Sequence, residues 1–171
     1  KEIFKSSGAS YVIDGRKTMN PSVKEILRAI EKVDFFNIIL LPNDANVLLS
    51  AQQAVKLTDK NVEIVASKTL PEGISSLLSI NPEYSIEENK KQMEEALGAV
   101  DTIMVAKATR PVENGNCMVK KGDFIALKKK EIIASGNDCH KVAIDAVKKA
   151  VKDSSSLITI YWGKDSNIIG A

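Results

Sequence analysis

The feature that most constrains the fold is an alternation of continuous apolar runs with amphipathic stripes. The run Phe35–Leu41 is too continuously apolar for a strand with one face in water, so it predicts an inner strand of a covered parallel sheet. Apolar residues then recur at helical spacing over Val47–Val55, and Val62–Ala66 predicts the next strand. A strand, a helix and a second strand in this order require a right-handed crossover with helices on the sheet faces.

The same pattern extends on both sides of this unit. Tyr11–Ile13 predicts a short strand, and the stripe Val23–Val33 predicts a helix that Asn20 can cap. Asp101–Thr109 and Leu157–Tyr161 predict two further strands of the same sheet. We therefore expect an α/β fold over residues 1–171, as a single domain with a mainly parallel sheet and helices on both faces.

The region after residue 110 changes character. Turn residues at Glu113–Asn116 and Lys121–Asp123 separate short apolar runs, which predicts a small antiparallel hairpin insertion in the parallel sheet.

Two helix starts are also visible in the sequence. Ser85 and Glu88 have the spacing of a capping box, and Asp138 can cap a last helix.

Composition excludes several classes of partner. Lys and Arg number 24 against 22 Asp and Glu, so no net charge favours nucleic acid or an anionic membrane surface. No apolar span is long enough for membrane insertion. Cys117 and Cys139 are too few for a disulfide framework, which favours a reducing, cytoplasmic setting.

Polar loops follow three of the predicted strands. Because ligands of open α/β sheets gather at the carboxyl ends of strands, these loops predict one shared binding rim. Hydroxyl, amide and cationic groups there suit a phosphate, a carboxylate or an acidic protein surface. The candidate binding residues are Arg16, Lys17, Thr18, Asn20, Ser22, Asn43, Ser67, Lys68 and Arg110. The alternative is that these side chains only cap helices, complete turns or face solvent, since caps and turns use the same residue types.

Other signals for chemistry are weak. Neither a dinucleotide fingerprint nor a P-loop follows Gly15. Cys117, Cys139 and His140 match no zinc-site spacing, and Cys139 beside His140 does not predict a nucleophile and its base. We therefore predict no catalytic residue and no metal ligand in this chain.

Several blocks together resemble one known family. Thr18-Met19-Asn20-Pro21-Ser22, Leu41-Pro42-Asn43, the block Ser67–Leu78 and the block Lys121–Leu127 are similar to the C-terminal domain of fatty acid kinase A subunits, which are dihydroxyacetone-kinase-like proteins. The resemblance covers nearly the whole chain and implies a fold shared with DegV-like proteins and dihydroxyacetone kinase substrate domains. Arg16 and Lys17 stand where the family usually has glycine and glutamine, which changes both backbone freedom and charge.

The resemblance implies a non-catalytic role within a longer multidomain kinase. ATP and magnesium would bind a separate kinase domain, and this domain would hold no cofactor and have no activity alone. Its partners would be that kinase domain and a DegV-like fatty-acid-binding protein, which it would dock for acyl phosphate formation. The resemblance does not decide whether this domain forms a homodimer. The rival hypothesis is a domain that binds glycerone or a phosphometabolite, although His140, the only histidine, lies away from the three polar loops in the sequence.

Overall fold

The structure is a computed structural model that describes residues 1–14, 20–114, 117–153 and 155–163. The chain divides into two compact units, Lys1–Thr102 and Ile103–Ala171. The single domain over residues 1–171 stays a prediction.

The first unit contains helices and one small sheet. Its helices are α1 (Glu2–Ser6), α2 (Val23–Glu31), α3 (Leu48–Val55), α4 (Leu70–Leu78) and α5 (Ile86–Gly98), and its strands are β1 (Asn37–Leu40) and β2 (Asn61–Ile64). The two strands are parallel, with Asn37 opposite Asn61 and Leu40 opposite Ile64. Since α3 connects them, β1, α3 and β2 form the predicted crossover unit.

Helices cover both faces of this two-stranded sheet. Val62 and Ile64 pack with α2 and α3 in one core. Side chains alternate between faces along a strand, so Glu63 points to the opposite face. There its Oε2 accepts a hydrogen bond of 2.7 Å from Nζ of Lys90 on α5. This ion pair therefore joins α5 to the second face of the sheet.

Helices α4 and α5 are consecutive in the chain and pack against each other. The buried hydroxyl of Ser76 on α4 donates to the carbonyl of Met93 on α5 at 2.8 Å. The buried Asn89 side chain organises the connecting loop: its Oδ1 accepts from the Asn81 amide at 2.8 Å, and its Nδ2 donates to the carbonyls of Asn81 and Tyr84 at 2.9 and 3.2 Å. The loop between α4 and α5 is therefore held by one polar side chain.

The second unit is built from antiparallel strands. Its strands are β3 (Met104–Lys107), β4 (Val112–Asn114), β5 (Cys117–Val119), β6 (Phe124–Lys128) and β7 (Glu131–Gly136), followed by α6 (Cys139–Ala150). The order of the larger sheet is β3-β6-β7, and β4 pairs with β5 separately. Ala126 and Ala134 of the sheet pack with Val142 and Ala146 of α6.

The link between β6 and β7 is a two-residue turn. Lys128 pairs with Glu131, so only Lys129 and Lys130 connect the strands. Both have positive φ, at 49° and 75°. Since such a short link can join only antiparallel neighbours, it fixes the direction of β7 against β6.

The prediction of a mainly parallel sheet is wrong, whereas the α/β class and the hairpins are present. Only β1 and β2 are parallel among the described strands. The predicted strand Asp101–Thr109 shortens to β3 and pairs antiparallel with β6, with Met104 opposite Leu127. The Ala108 amide donates to the Asp123 carbonyl and the Ala108 carbonyl accepts from the Gly122 amide, both at 2.8 Å, which extends this pairing beyond the strand.

Of three further predicted strands, two are absent and one is shorter than predicted. Tyr11–Ile13 forms no regular strand: Ile13 packs against the apolar cluster around Ile26, and Val12 packs against a separate cluster that contains Phe4 and Ile74. In the run Phe35–Leu41 only Asn37–Leu40 is strand, and the two phenylalanines are exposed in the preceding loop. Leu157–Tyr161 is exposed and has no regular element, so its predicted return to the sheet is wrong.

Candidate functional site

The loops that follow β1 and β2 meet at the carboxyl end of the two strands. Asn43 lies in the first loop and Ser67 in the second, and they are joined by two hydrogen bonds. The Ser67 hydroxyl donates to Oδ1 of Asn43 at 2.8 Å and accepts from the Asn43 backbone amide at 3.0 Å. Ser67 is only 1% exposed. Its hydroxyl therefore positions Asn43 and is not offered to a ligand. We call the region formed by Asn43, Ser67–Lys68 and Gly73 the polar end.

Asn43 is held in an unusual backbone conformation. Its φ is 58°, in the left-handed region that asparagine tolerates better than most residues. Its side chain lies against Gly73 of α4, so closely that an added Cβ would lie 1.7 Å from Oδ1 and 2.7 Å from Cγ. Only glycine fits at position 73 while Asn43 stays in place. The backbone, Ser67 and Gly73 thus fix this one side chain from three directions.

The first turn of α4 completes the polar end. Thr69 caps the helix by accepting from the Glu72 amide at 3.3 Å, and the Glu72 carboxylate accepts from the Lys68 amide at 2.6 Å. The Thr69 and Thr102 hydroxyls are 2.9 Å apart, which anchors the start of α4 to the residue that ends the first unit. Since Glu72 already places a negative charge at the helix N-terminus, this terminus is not an empty anion site. The Lys68 side chain is exposed.

The candidate residues before α2 behave differently. Ser22, not Asn20, is the N-cap: its hydroxyl accepts from the Glu25 amide at 3.3 Å and donates to the Glu25 carboxylate at 2.9 Å. The Ser22 amide also donates to the Glu25 carboxylate at 2.8 Å, and this bond, together with the one from the Ser22 hydroxyl, holds the pKa of Glu25 below its ordinary value. Asn20 is exposed and makes no hydrogen bond with Asn43 or Ser67 among the described residues. Three further candidates, Arg16, Lys17 and Thr18, lie outside the described residues.

Arg110 lies in the second unit. It lines a shallow cavity of about 490 Å³ with neighbours from β4 and β5, including Glu113 and Met118. A second shallow cavity, of about 230 Å³, lies on α2 in the first unit and is lined by Tyr11 and Arg28. Neither cavity is lined by residues of the polar end.

The hydrogen-bonding capacity of the polar end centres on the Asn43 side chain. Oδ1 of Asn43 already accepts from the Ser67 hydroxyl, and no hydrogen bond from Nδ2, the donor of this amide, reaches another described residue. Across the described ranges, no group of three or more His, Cys, Asp and Glu side chains could hold a metal ion. The same ranges contain no helix that is long and apolar enough to cross a bilayer.

Sequence reasoning missed Gly73 and Thr102. Gly73 lies inside a helix, where glycine is unfavourable, and that cost is a signal that another group approaches the backbone closely. Nothing in the local sequence pairs Thr102 with Thr69, because the two lie 33 residues apart.

Comparison with known proteins gives the same family as the sequence motifs. Residues 1–168 match the FakA-like C-terminal family, which comprises the C-terminal regions of fatty acid kinase A-like proteins. Protein YloV of Bacillus subtilis is 32% identical over 166 residues, which cover 97% of this chain and 30% of YloV. An uncharacterized protein of Staphylococcus aureus is 32% identical over 165 residues, covering 96% of this chain and 30% of that protein.

A relative from Staphylococcus haemolyticus gives the same result, with 32% identity over 166 residues that cover 97% of this chain and 30% of the relative. The chain thus spans about 30% of the length of the curated relatives it matches. The family match, in contrast, extends over nearly every residue and confirms the resemblance seen in the motifs. This chain therefore belongs to the FakA-like C-terminal family of fatty acid kinases.

Proposed function

We propose that this chain is the non-catalytic C-terminal part of a fatty acid kinase, and that its polar end docks a DegV-like protein that carries the fatty acid. A separate domain of the longer protein would bind ATP and magnesium and form the acyl phosphate. The observation that carries the proposal is the fixed position of Asn43, whose side chain is locked by Ser67 and Gly73. Family membership supports the kinase context.

The locked asparagine supports a role in recognition. Left-handed backbone at a residue other than glycine has a cost in free energy, and such residues cluster at functional sites when their surroundings hold them. A rigid donor loses little conformational entropy on binding, so it contributes more to affinity than a mobile side chain does. Nδ2 of Asn43 would donate to a carbonyl or carboxylate of the partner.

The chemistry of the surrounding side chains favours an acceptor-rich partner surface. Lys68 is exposed immediately beside the buried Ser67, so the loop that holds Asn43 also carries a cationic side chain. The sequence adds Arg16 and Lys17 in the loop before α2, and we expect them to contribute further positive charge. A partner surface that presents carboxylates and backbone carbonyls fits this combination.

The test is a calorimetric titration of the chain with a DegV-like protein loaded with fatty acid. Asn43→Asp keeps the size of the side chain and the oxygen that Ser67 bonds, but it replaces the Nδ2 donor by a carboxylate oxygen. We expect at least a tenfold loss of affinity, because a lost donor facing an acceptor costs about 1.5–3 kcal/mol. Lys68→Glu should also weaken binding, with a smaller effect at high salt.

A matched control separates binding from stability. Ser85→Ala removes the cap of α5, far along the chain from the polar end, and should lower stability without changing affinity. Wild-type binding weaker than about 100 μM, or equal affinity of wild type and Asn43→Asp, would contradict the proposal. Binding of inorganic phosphate or glycerone that Asn43→Asp abolishes would instead favour the small-molecule domain.

A further inference from the structure

The two compact units differ in charge. Ile103–Ala171 contains 12 lysine and arginine residues against 7 aspartate and glutamate residues, whereas Lys1–Thr102 contains 12 against 15. The near balance of the whole chain is therefore the sum of an acidic first unit and a basic second unit. A positive excess confined to one unit favours an anionic partner at that unit.

The fold of the second unit brings lysines from two elements to one end. Helix α6 begins soon after β7 and runs back along it. Near the start of the helix, Val142 lies against Gly136, where an added Cβ would be 3.3 Å from Cγ2 of Val142. In the last turn of the helix, Nζ of Lys149 donates to the Ile133 carbonyl at 2.7 Å. The end of α6 therefore lies beside the start of β7, on the side where the β6–β7 turn connects the strands.

Six lysines come from these two places. They are contributed by the β6–β7 turn with the residue before it, and by the end of α6 with the residues after it: Lys128, Lys129, Lys130, Lys148, Lys149 and Lys152. We call these six residues the lysine end. Lys128 is half-buried, and the other five are exposed. Three acidic residues lie in the same segments, Glu131, Asp145 and Asp153, so cations remain in excess.

Local stability explains only part of the lysine end. Lys148 and Lys149 lie in the last turn of α6, where cations interact favourably with the helix dipole. That cause does not apply to Lys129 and Lys130 in the turn. Both have positive φ, which has a cost in free energy for residues with a side chain, and such residues are typical of functional sites. The two turn lysines therefore indicate binding of an anionic partner.

An exposed apolar segment follows the lysine end. The Ser155 amide donates to the Lys152 carbonyl at 2.8 Å, and the Ser155 hydroxyl accepts from the Lys152 amide at 3.1 Å, so Ser155 stays beside Lys152. Leu157 is two residues further, at most about 7 Å along the chain. Between residues 157 and 162, five large apolar side chains have exposures of 46–81%: Leu157, Ile158, Ile160, Tyr161 and Trp162.

Lysines beside exposed aromatic and aliphatic side chains are the combination that binds an anionic lipid surface. Clustered lysines are attracted to anionic headgroups, and tryptophan and tyrosine favour the boundary between headgroups and acyl chains. Nucleic acid would bind the lysines but would leave the aliphatic side chains without a partner. We propose that the lysine end and residues 157–162 together bind the surface of an anionic phospholipid bilayer, independently of the docking proposed for the polar end.

The test is a titration of the 171-residue chain with phosphatidylcholine vesicles that contain about 30% phosphatidylglycerol. Vesicles of phosphatidylcholine alone are the neutral comparison. Trp162 is the only tryptophan in the sequence, so its fluorescence reports whether the apolar segment enters the bilayer. We expect a blue shift of its emission with the anionic vesicles, and weaker binding as salt is added.

Two pairs of exposed lysines provide matched variants. Lys129→Gln with Lys130→Gln removes two charges from the lysine end and should weaken binding at least tenfold, since each charge contributes roughly fivefold. Lys120→Gln with Lys121→Gln removes the same charge beyond the other end of β6, about 17 Å away, and should change binding less than twofold. Ile160→Ser keeps the tryptophan and should reduce the blue shift. Circular dichroism checks that each variant is folded.

Weaker binding of the Lys129 and Lys130 variant, with the Lys120 and Lys121 variant unchanged, supports the proposal. A wild-type chain that does not bind the anionic vesicles, or that binds neutral vesicles equally well, overturns it. Equal loss in both pairs also overturns it, because charge would then act without regard to position. Binding without a change in Trp162 emission overturns it as well, since the apolar segment then stays in water. A chain that binds polyuridylate RNA but not the vesicles assigns the lysine end to nucleic acid instead.

Discussion

Replacing Gly73 by alanine tests the packing on which the polar end depends. In an open helix position alanine would stabilise the protein by up to about 1 kcal/mol over glycine. Here the new Cβ would lie 1.7 Å from Oδ1 of Asn43, far inside van der Waals contact. The Asn43 side chain must therefore leave its place, and the sign of the effect depends on what that movement costs.

The cost follows from the contacts of Ser67. Moving the Asn43 side chain breaks the hydrogen bond to Oδ1 and strains the one from the Asn43 amide, each contributing about 1 kcal/mol. The buried Ser67 hydroxyl then lacks an acceptor, which costs a further 1–3 kcal/mol or so. Against a helix gain of about 1 kcal/mol, we expect Gly73→Ala to destabilise the chain by about 1–4 kcal/mol.

Urea denaturation followed by circular dichroism measures this difference. Gly98→Ala is the control, because Gly98 ends α5 with no atom within 4 Å of its added Cβ and should gain about 0.5 kcal/mol. Adding Asn43→Gly to Gly73→Ala removes the clash and suits the positive φ, but it still leaves the Ser67 hydroxyl without Oδ1 as its acceptor, so the double variant should recover only part of the lost stability. A Gly73→Ala protein as stable as Gly98→Ala would refute the reasoning.

Three further predictions concern stability. Lys60→Met removes the ammonium from the end of α2 and should lower the free energy of unfolding by about 1–2 kcal/mol in urea denaturation. Asn89→Ala should cost about 2–3 kcal/mol and increase amide hydrogen exchange in the α4–α5 loop, because several backbone groups lose their partner. Hydrogen bonds from Ser85 lower the pKa of Glu88, so its contribution is present above its unfolded pKa and is lost as pH falls through the folded pKa. The stability difference between wild type and Glu88→Gln should therefore shrink on acidification, and an unchanged difference would contradict this cause.

Local features of the fold could be predicted because neighbours in sequence decide them. The Ser85–Glu88 capping box and the Asp138 cap are present as expected, since each depends on side chains within three residues of the helix start. The direction of β3 could not be predicted in this way. Its pairing with β6 depends on contacts between segments that are distant in the sequence. A short apolar run is compatible with either a parallel or an antiparallel neighbour, so its composition does not indicate the direction.

The position of Phe35 and Phe36 shows the limit of the hydrophobic pattern. An unbroken apolar run predicts burial, but it does not indicate at which residue the loop ends and the strand begins. That point is set by Lys60 and Asn61, which lie far along the chain and bind the carbonyls around the phenylalanines. The two rings are therefore exposed despite their sequence context.

Part of the candidate site could also be anticipated. Asn43 and Ser67 were expected on one rim because the loops after parallel strands share an edge, and the structure brings them into direct contact. The sequence did not reveal their separate roles. Burial of Ser67 makes it a support for Asn43, and this depends on Gly73, whose contact forms only in the folded chain.

The two-lysine turn between β6 and β7 has a consequence for engineering. Residues with a side chain cost roughly 1 kcal/mol each in the left-handed conformation that Lys129 and Lys130 adopt, whereas asparagine and glycine accept it readily. An Asn-Gly replacement at this tip would relieve that strain and remove two adjacent cations at once. This replacement should therefore raise the melting temperature of the chain without altering either end of the parallel strands β1 and β2.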